Sequence, residues 1–255
     1  MPDVPRTHDW DAKAYDRVSD PQTRWAGRVL DRLELRGDER VLDAGCGTGR
    51  VSEQLLERLP RGTLVALDAD PAMIASARER LGPYGPRVEY VVANLSEPLP
   101  IQPVDAIFST AALHWVRNHD LLFANLGAVL RPGGQLVAQF GGAGNVRTFL
   151  KVVEEMGVAG RVPWTFPTPE DTRRRLEAAG FVDIDAWLHD EPTPFDSLDD
   201  MDAFIRTSCL GPWLKDMSAE RGDSFAREVA SRIPRLELDY VRLNVVARKA
   251  VSSPA

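Results

Sequence analysis

Short apolar runs alternate with stretches in which apolar residues return every third or fourth position along most of this 255-residue chain. The first pattern is that of buried strands and the second that of amphipathic helices. Residues 22–35 place Trp25, Val29, Leu30 and Leu33 at helical spacing behind Asp20-Pro21, a cap followed by a first-turn proline. A short strand, RVLDAG, then ends in glycines, and a helical pattern occupies residues 51–59. A second strand at 64–67 runs into Asp68, and Asp70-Pro71 opens a helix to Leu81 that keeps Met73, Ile74 and Ala77 on one face. Strands at 88–92 and 104–108, a helix over 119–130 and a strand at 135–140 follow, with Arg131-Pro132-Gly133-Gly134 as a breaker before the last of these.

Beyond Gly144 the pattern loosens. A helix is expected over 146–156, then a loop rich in proline and aromatics (VPWTFPTP), a helix over 169–179 and a strand at 182–188. Residues 189–239 carry several short amphipathic pieces, and residues 240–247 close the chain with alternating apolar positions. Continuously apolar strands separated by helices indicate a parallel sheet covered on both faces. The expected fold is therefore α/β, an open, doubly wound sheet of seven strands with a helical insertion between strands 6 and 7. The insertion should act as a lid, because ligands of such sheets bind at the carboxyl ends of the strands. The chain divides into an N-terminal segment (1–35), a core (36–188), the insertion (189–239) and a last strand (240–250), all within one domain.

Composition narrows the possible partners. With 31 basic and 38 acidic residues the net charge is −7, a field that repels phosphate backbones and anionic membranes. Nucleic acid and membrane are not expected as partners, whereas a small molecule is. The amino terminus lacks the apolar stretch of a signal peptide, and no apolar run reaches the length of a bilayer span. The two cysteines, Cys46 and Cys209, have neither disulfide nor zinc spacing, which fits a reducing cytoplasm and no metal site.

The chemistry concentrates in Val41-Leu42-Asp43-Ala44-Gly45-Cys46-Gly47-Thr48-Gly49. A strand ending in Asp and then alternating glycines lets the backbone turn sharply and approach a ligand with no Cβ in the way. A dinucleotide fingerprint needs its third glycine three residues after the second; here Gly49 comes two after Gly47. An acid before the turn also suits a cationic ligand better than a pyrophosphate. Asp68 ends the second strand, where a carboxylate accepts hydrogen bonds from ribose hydroxyls in this class of sheet.

Through VLDAGCGTG, VALDADPAMI, VEYVVANLSEPLP, VDAIFSTAALHWV and LRPGGQLVAQF the chain resembles the class I S-adenosylmethionine-dependent methyltransferases. With WDAKAYDRVS and YVRLNVVARK it looks most like their trans-aconitate methyltransferase-like branch. The resemblance implies a Rossmann-like sheet whose last strand is antiparallel, an N-terminal segment folded over the cofactor, and S-adenosyl-L-methionine as that cofactor. It also implies that Asp43 and the backbone of Gly45 and Gly47, with Cys46 in the same turn, hold the amino acid part. Asp68 would bind the ribose, and Ala69 and Met73 would flank the adenine. Asn94, where the family usually has Asp, would accept from the adenine amino group beside the Leu95 N–H. Ser109 would face the methionine portion, and Tyr15 and Trp10 would offer aromatic faces to the sulfonium.

His114 is the candidate base or positioning residue, with a reference pKa near 6.5. Trp115, Arg147, Trp164, Arg206 and Trp213 are the candidate substrate contacts, alongside Phe166, Phe204 and Leu214. The two arginines are offered as partners for a carboxylate. All but four of the basic residues are arginine, so no single one stands out. The reaction expected is O-methylation of a carboxylate. The alternatives are methylation at carbon, nitrogen or hydroxyl oxygen of a natural-product-type molecule, or cofactor binding without catalysis. The protein is expected as a monomer or homodimer.

Overall fold

A computed structural model describes residues 26–157, 162–215 and 217–251. Alternate residues of its strands point to opposite faces of one sheet, as the pleat requires. Val41, Leu64, Ala66, Ala106 and Val137 pack with Leu55 and Ile74 on one side. Leu42, Val65, Leu67, Ile107 and Ala138 pack with Phe123 and Leu126 on the other. Both faces are thus apolar, the reason these strands read as continuous hydrophobic runs.

The strands are β1 (Arg40–Ala44), β2 (Thr63–Asp68), β3 (Val88–Val92), β4 (Val104–Thr110), β5 (Leu130–Gly141) and β6 (Phe181–Asp190), with β7 (Thr193–Pro194), β8 (Glu237–Leu238) and β9 (Val241–Lys249) following. Seven of them form the sheet in the order β3-β2-β1-β4-β5-β9-β6. Its last strand, β9, lies antiparallel between β5 and β6. The helices around it are α1 (Arg50–Glu57), α2 (Pro71–Leu81), α3 (His119–Val129), α4 (Arg147–Glu155) and α5 (Pro169–Ala178). From β1 the chain runs outward through β2 to β3 and then returns to place β4 on the other side of β1. The crevice outside the carboxyl ends of β1 and β4 is therefore the switch point at which such sheets take their ligands.

The residues between β6 and β9 are helical, as expected: α6 (Leu198–Ser208), α7 (Gly211–Leu214) and α8 (Ala219–Arg232), with β7 and β8 paired as a small ribbon. Their apolar faces do not pack on the sheet. Met201, Phe204, Ile205, Phe225 and Val229 join Val146, Phe149, Val152 and Val153 of α4 and its approach in a separate core. Asp239 reinforces the join by accepting from the Thr148 N–H at 3.0 Å and the Thr148 hydroxyl at 2.9 Å. The insertion and α4 thus form one packed body beside the carboxyl end of β5.

Two local expectations change. The first helix covers residues 26–30 and gives way to a turn, short of Leu35, and residues 22–25 lie outside the described residues. Arg131-Pro132-Gly133-Gly134 follows the end of α3 at Val129, as expected, but β5 begins at Leu130 rather than at residue 135. Val104 pairs with Leu130 and Ala106 with Gln135, so residues 131–134 bulge out of the ladder. Gly133 takes φ +77°, a conformation most side chains resist. No helix of the described residues is long and apolar enough to cross a membrane.

Phe140 is fully buried in the core and meets the His119 ring edge-on at 5.8 Å. Phe140→Ala is expected to cost about 3–5 kcal/mol, read as a lower urea midpoint with unchanged far-ultraviolet dichroism at zero denaturant.

Candidate active site

The turn after β1 is tied to β2, because the Gly45 and Cys46 N–H groups both donate to the Leu67 carbonyl, at 2.8 and 2.9 Å. Gly45 has φ +83°, and a Cβ there would lie 2.2 Å from the Cβ of Ala112. Only glycine allows that contact. At Gly47, φ +55°, a Cβ would meet no atom of the described residues within 4 Å. Gly47 donates its N–H to Asp68 at 3.0 Å. With these N–H groups engaged inside the loop, the acceptors that remain for a ligand there are carbonyl oxygens, which suit an ammonium.

Asp43 is buried at the base of this turn and accepts from the Ser52 hydroxyl at 2.6 Å. Burial pushes its carboxyl up to about 7; the Ser52 bond opposes this and the charge of Asp68 adds to it. A buried carboxylate of this kind awaits a cation. Asp68 is half-buried and also accepts from the Asp70 N–H at 2.9 Å. Burial raises its carboxyl despite these two bonds. Asp70 caps α2 through the Ala72 N–H at 2.8 Å, so the end of β2 and the start of α2 are locked to the glycine turn.

The other expected cofactor contacts surround this crevice unequally. Ala69 is exposed and Met73 is buried on α2. The Asn94 side-chain oxygen accepts from the Ser96 N–H at 2.9 Å, keeping one lone pair, and Leu95 beside it is buried. The Ser109 hydroxyl is buried and donates to the Ala44 carbonyl at 2.6 Å, tying β4 to β1. The Cys46 thiol is pushed well above its ordinary value, first by burial and then by Asp43 and Asp68, so it is no nucleophile. Tyr15 and Trp10 lie outside the described residues.

Beyond β4 the chain turns at Ala111, φ +55°, into a 3₁₀ turn over Leu113–Trp115. Because Ala112 abuts Gly45, this turn sits directly against the glycine loop. His114, Trp115, Trp164, Phe166, Tyr240 and Arg242 wall a small cavity. Trp164 stacks on Phe166 with ring centres 5.7 Å apart and meets Trp115 edge-on at 5.4 Å. Ser208 and Cys209, at the end of α6, close the far side. The insertion therefore supplies a wall of the cavity.

The expected substrate arginines stand elsewhere. The guanidinium of Arg206 is held by Asp202 at 2.9 Å and by Asp223, within the insertion itself. Arg147 is exposed and borders a second depression with Asn145, Lys151 and Phe166. Trp213 stands behind Trp164 at 5.8 Å, and Phe204 is core packing with Phe195 and Tyr240.

The cation in the cavity is Arg242, only 2% exposed, which sequence reasoning missed. It occupies the second position of β9, directly opposite Gly141, and the Tyr240 ring lies 5.9 Å from its guanidinium. The one available signal was a buried-type strand, VRLNVVARK, with Arg and Asn two apart and hence on one face. That Asn244 is fully buried and accepts from Arg32 at 2.6 Å and Gln139 at 2.8 Å. No acidic side chain lines the cavity among the described residues. Burial, then the charge of Arg242, holds the His114 imidazole well below its ordinary value, so it is neutral.

Residues 41–134 match the family model described as a methyltransferase domain. The chain is 42% identical over 132 residues to trans-aconitate 2-methyltransferase of Acidovorax ebreus, a match covering 52% of this chain and half of that relative's length. It is 30% identical over 262 residues to trans-aconitate 2-methyltransferase of Variovorax paradoxus, covering 94% of this chain and 98% of the relative. Among solved structures, phosphoethanolamine N-methyltransferase 2 of Haemonchus contortus, in complex with S-adenosyl-L-methionine, superposes with a TM-score of 0.66 at 21% identity. That match covers 97% of this chain and 59% of the other.

Proposed function

From the premise that the chain belongs to the S-adenosylmethionine-dependent methyltransferases, we propose that it methylates a carboxylate oxygen of a small organic acid. The observation that carries the reading is Arg242, a buried positive charge in an aromatic-walled cavity that no acidic side chain lines among the described residues. Such a cavity favours an anion and disfavours an ammonium substrate. The substrate named for the relatives, trans-aconitate, is a small acid of the kind such a pocket admits.

The residues present fit the cofactor. The lack of a Cβ at Gly47 admits a close backbone approach, and buried Asp43 faces the need for a cation, which an ammonium would meet. Asp68 retains lone pairs for ribose hydroxyls beyond its two backbone bonds. Asn94 and Leu95 would border the adenine. When bound, the cofactor supplies a methyl group on a positively charged sulfur, which keeps the electron pair of the broken bond.

The chain's own task is to bind, align and exclude water, and alignment alone contributes about 7–11 kcal/mol to such displacements. A carboxylate is already ionised at neutral pH and needs no base. A guanidinium such as that of Arg242 carries its donors in one plane, the geometry that matches a carboxylate. Trp115, Trp164 and Phe166 take the carbon skeleton and keep water out.

Incubation with S-adenosylmethionine and a panel of acids, trans-aconitate included, and of amines is expected to release S-adenosylhomocysteine with acids alone. The product should be an alkali-labile methyl ester by mass spectrometry. Alkali-stable methylation of an amine would sink the reading.

A further inference from the structure

We infer, resting on the carboxylate reading above, that His114 is a substrate-orienting hydrogen-bond donor, its Nε2–H and the Arg242 guanidinium together gripping one carboxylate, and that it takes no proton in turnover.

The geometry supplies the argument. The 3₁₀ turn that carries His114 is pinned along its length. Trp115 N–H donates to the Ala112 carbonyl at 3.0 Å, and the Thr165 N–H donates to the His114 carbonyl at 2.8 Å. Trp115 and Phe166 flank the imidazole with ring centres 5.7 and 5.9 Å away, which sets its plane. The Gly141 N–H points at Nδ1 from 3.5 Å, so Nδ1 is the acceptor and the ring proton sits on Nε2. Gly141 also pairs with Arg242 across the sheet. One backbone position thus sets the tautomer of His114 and faces the strand residue that carries the cation. Both side chains line the same cavity.

A general base needs a neighbour that stabilises its charged form. The groups set against His114 do the reverse. Arg242 approaches from β9 and His119 from α3, and both disfavour a positive imidazole, as burial does. Tyr240 and Cys209 complete the titratable lining, and the Cys209 thiol is pushed up to about 12 by burial. His119 is itself held down to about 4, chiefly by burial. Among the described groups beside the substrate carboxylate, His114 is thus moved down and Cys209 up, both away from neutral pH. What the imidazole does offer there is one fixed N–H.

The test is the pH dependence of kcat, at saturating cofactor and acid, for wild type, His114→Asn and His114→Ala. Asparagine keeps an N–H donor and cannot act as a base. The wild-type profile is expected to be flat from pH 6.5 to 9. His114→Asn should stay within about tenfold of wild type, while His114→Ala falls a further 10- to 100-fold, the range for a lost hydrogen bond to a charged group. Cofactor affinity by calorimetry should match wild type in both variants. A wild-type acidic limb between pH 6 and 7.5 that both variants abolish with equal losses assigns a base and overturns the inference. Losses below threefold in both variants overturn it as well, leaving His114 as lining. These outcomes all presuppose a methyl ester from the wild type; no ester from any acid removes the carboxylate reading itself. The wild-type profile needs no variant, so a poorly folding substitution does not remove the test.

Discussion

Arg242→Gln is expected to lower kcat/KM for the acid substrate by about two to three orders of magnitude, with most of the loss in KM and cofactor affinity unchanged. Among the described residues Arg242 is the one full charge on the cavity wall, and it is almost completely desolvated. Truncating one partner of a buried, hydrogen-bonded charge pair costs about 2–5 kcal/mol, and each 1.4 kcal/mol is about tenfold. Glutamine keeps a donor but neither the charge nor the two-point geometry. Arg242→Lys should recover only part of the loss, because an ammonium is a compact point charge without the planar fork. Initial rates against acid concentration separate KM from kcat. Calorimetry with S-adenosylhomocysteine reports on the cofactor crevice, which Arg242 does not line. Wild-type kcat/KM in Arg242→Gln would place acid recognition elsewhere, with exposed Arg147 and Lys151 at the neighbouring depression next in line.

Asp43→Asn is expected to weaken cofactor binding by about two to three orders of magnitude, by the same arithmetic for a buried charge pair. It also has a pH signature. Asp43 is held at about 7 in the folded chain, against 3.8 for an ordinary aspartate. A cationic ligand group pairs only with its ionised form. Wild-type affinity should therefore be level above pH 7.5 and fall about tenfold per unit below pH 7, while Asp43→Asn stays level.

The stability of the ligand-free chain moves the opposite way. The folded state holds this proton more tightly than the unfolded chain does. Stability from Asp43 is thus greatest below the ordinary carboxylate range and declines as pH rises from about 4 to 7. The decline is at most about 4 kcal/mol, and Asp43→Asn should remove it, raising the ligand-free melting temperature at pH 8. A pH-independent wild-type affinity would show that Asp43 does not face the ligand's cation.

The cofactor half of the site was legible because it is local. The turn after β1 comprises consecutive residues, and its glycines are dictated by backbone sterics that any sequence shows: Gly45 must clear Ala112, and Gly47 takes a positive φ. Asp68 follows from the end of the next strand, paired in register with β1. Other details are set by tertiary partners. Ser109 occupies the expected strand end, but its hydroxyl is taken by the neighbouring strand. Arg131-Pro132-Gly133-Gly134 does mark the end of α3, but flanking ladders on β4 hold both of its sides, so β5 starts at Leu130 and these residues bulge from it.

The substrate half depended on contacts between distant segments. Arg206 and Arg242 are both arginines in the last third of the chain, and nothing in the sequence ranks them. Their fates separate only when α6 and α8 pack together and bring Asp223 to Arg206, and when β9 inserts between β5 and β6 and buries Arg242 opposite Gly141. The charge state of His114 depends on distant contacts in the same way. Alone it has the pKa of a base, and the burial and cation that keep it neutral arrive with β9.

By itself, then, the sequence determined the alternation of strands and helices, the doubly wound sheet, and the glycine turn with its two carboxylates, since these follow from hydrophobic period and local backbone sterics. Only the tertiary structure decided which arginine is desolvated, which histidine nitrogen carries the proton and which aromatics wall the cavity. Charge strength and protonation depend on burial and neighbours, and those include residues as far apart in the chain as Gly141 and Arg242.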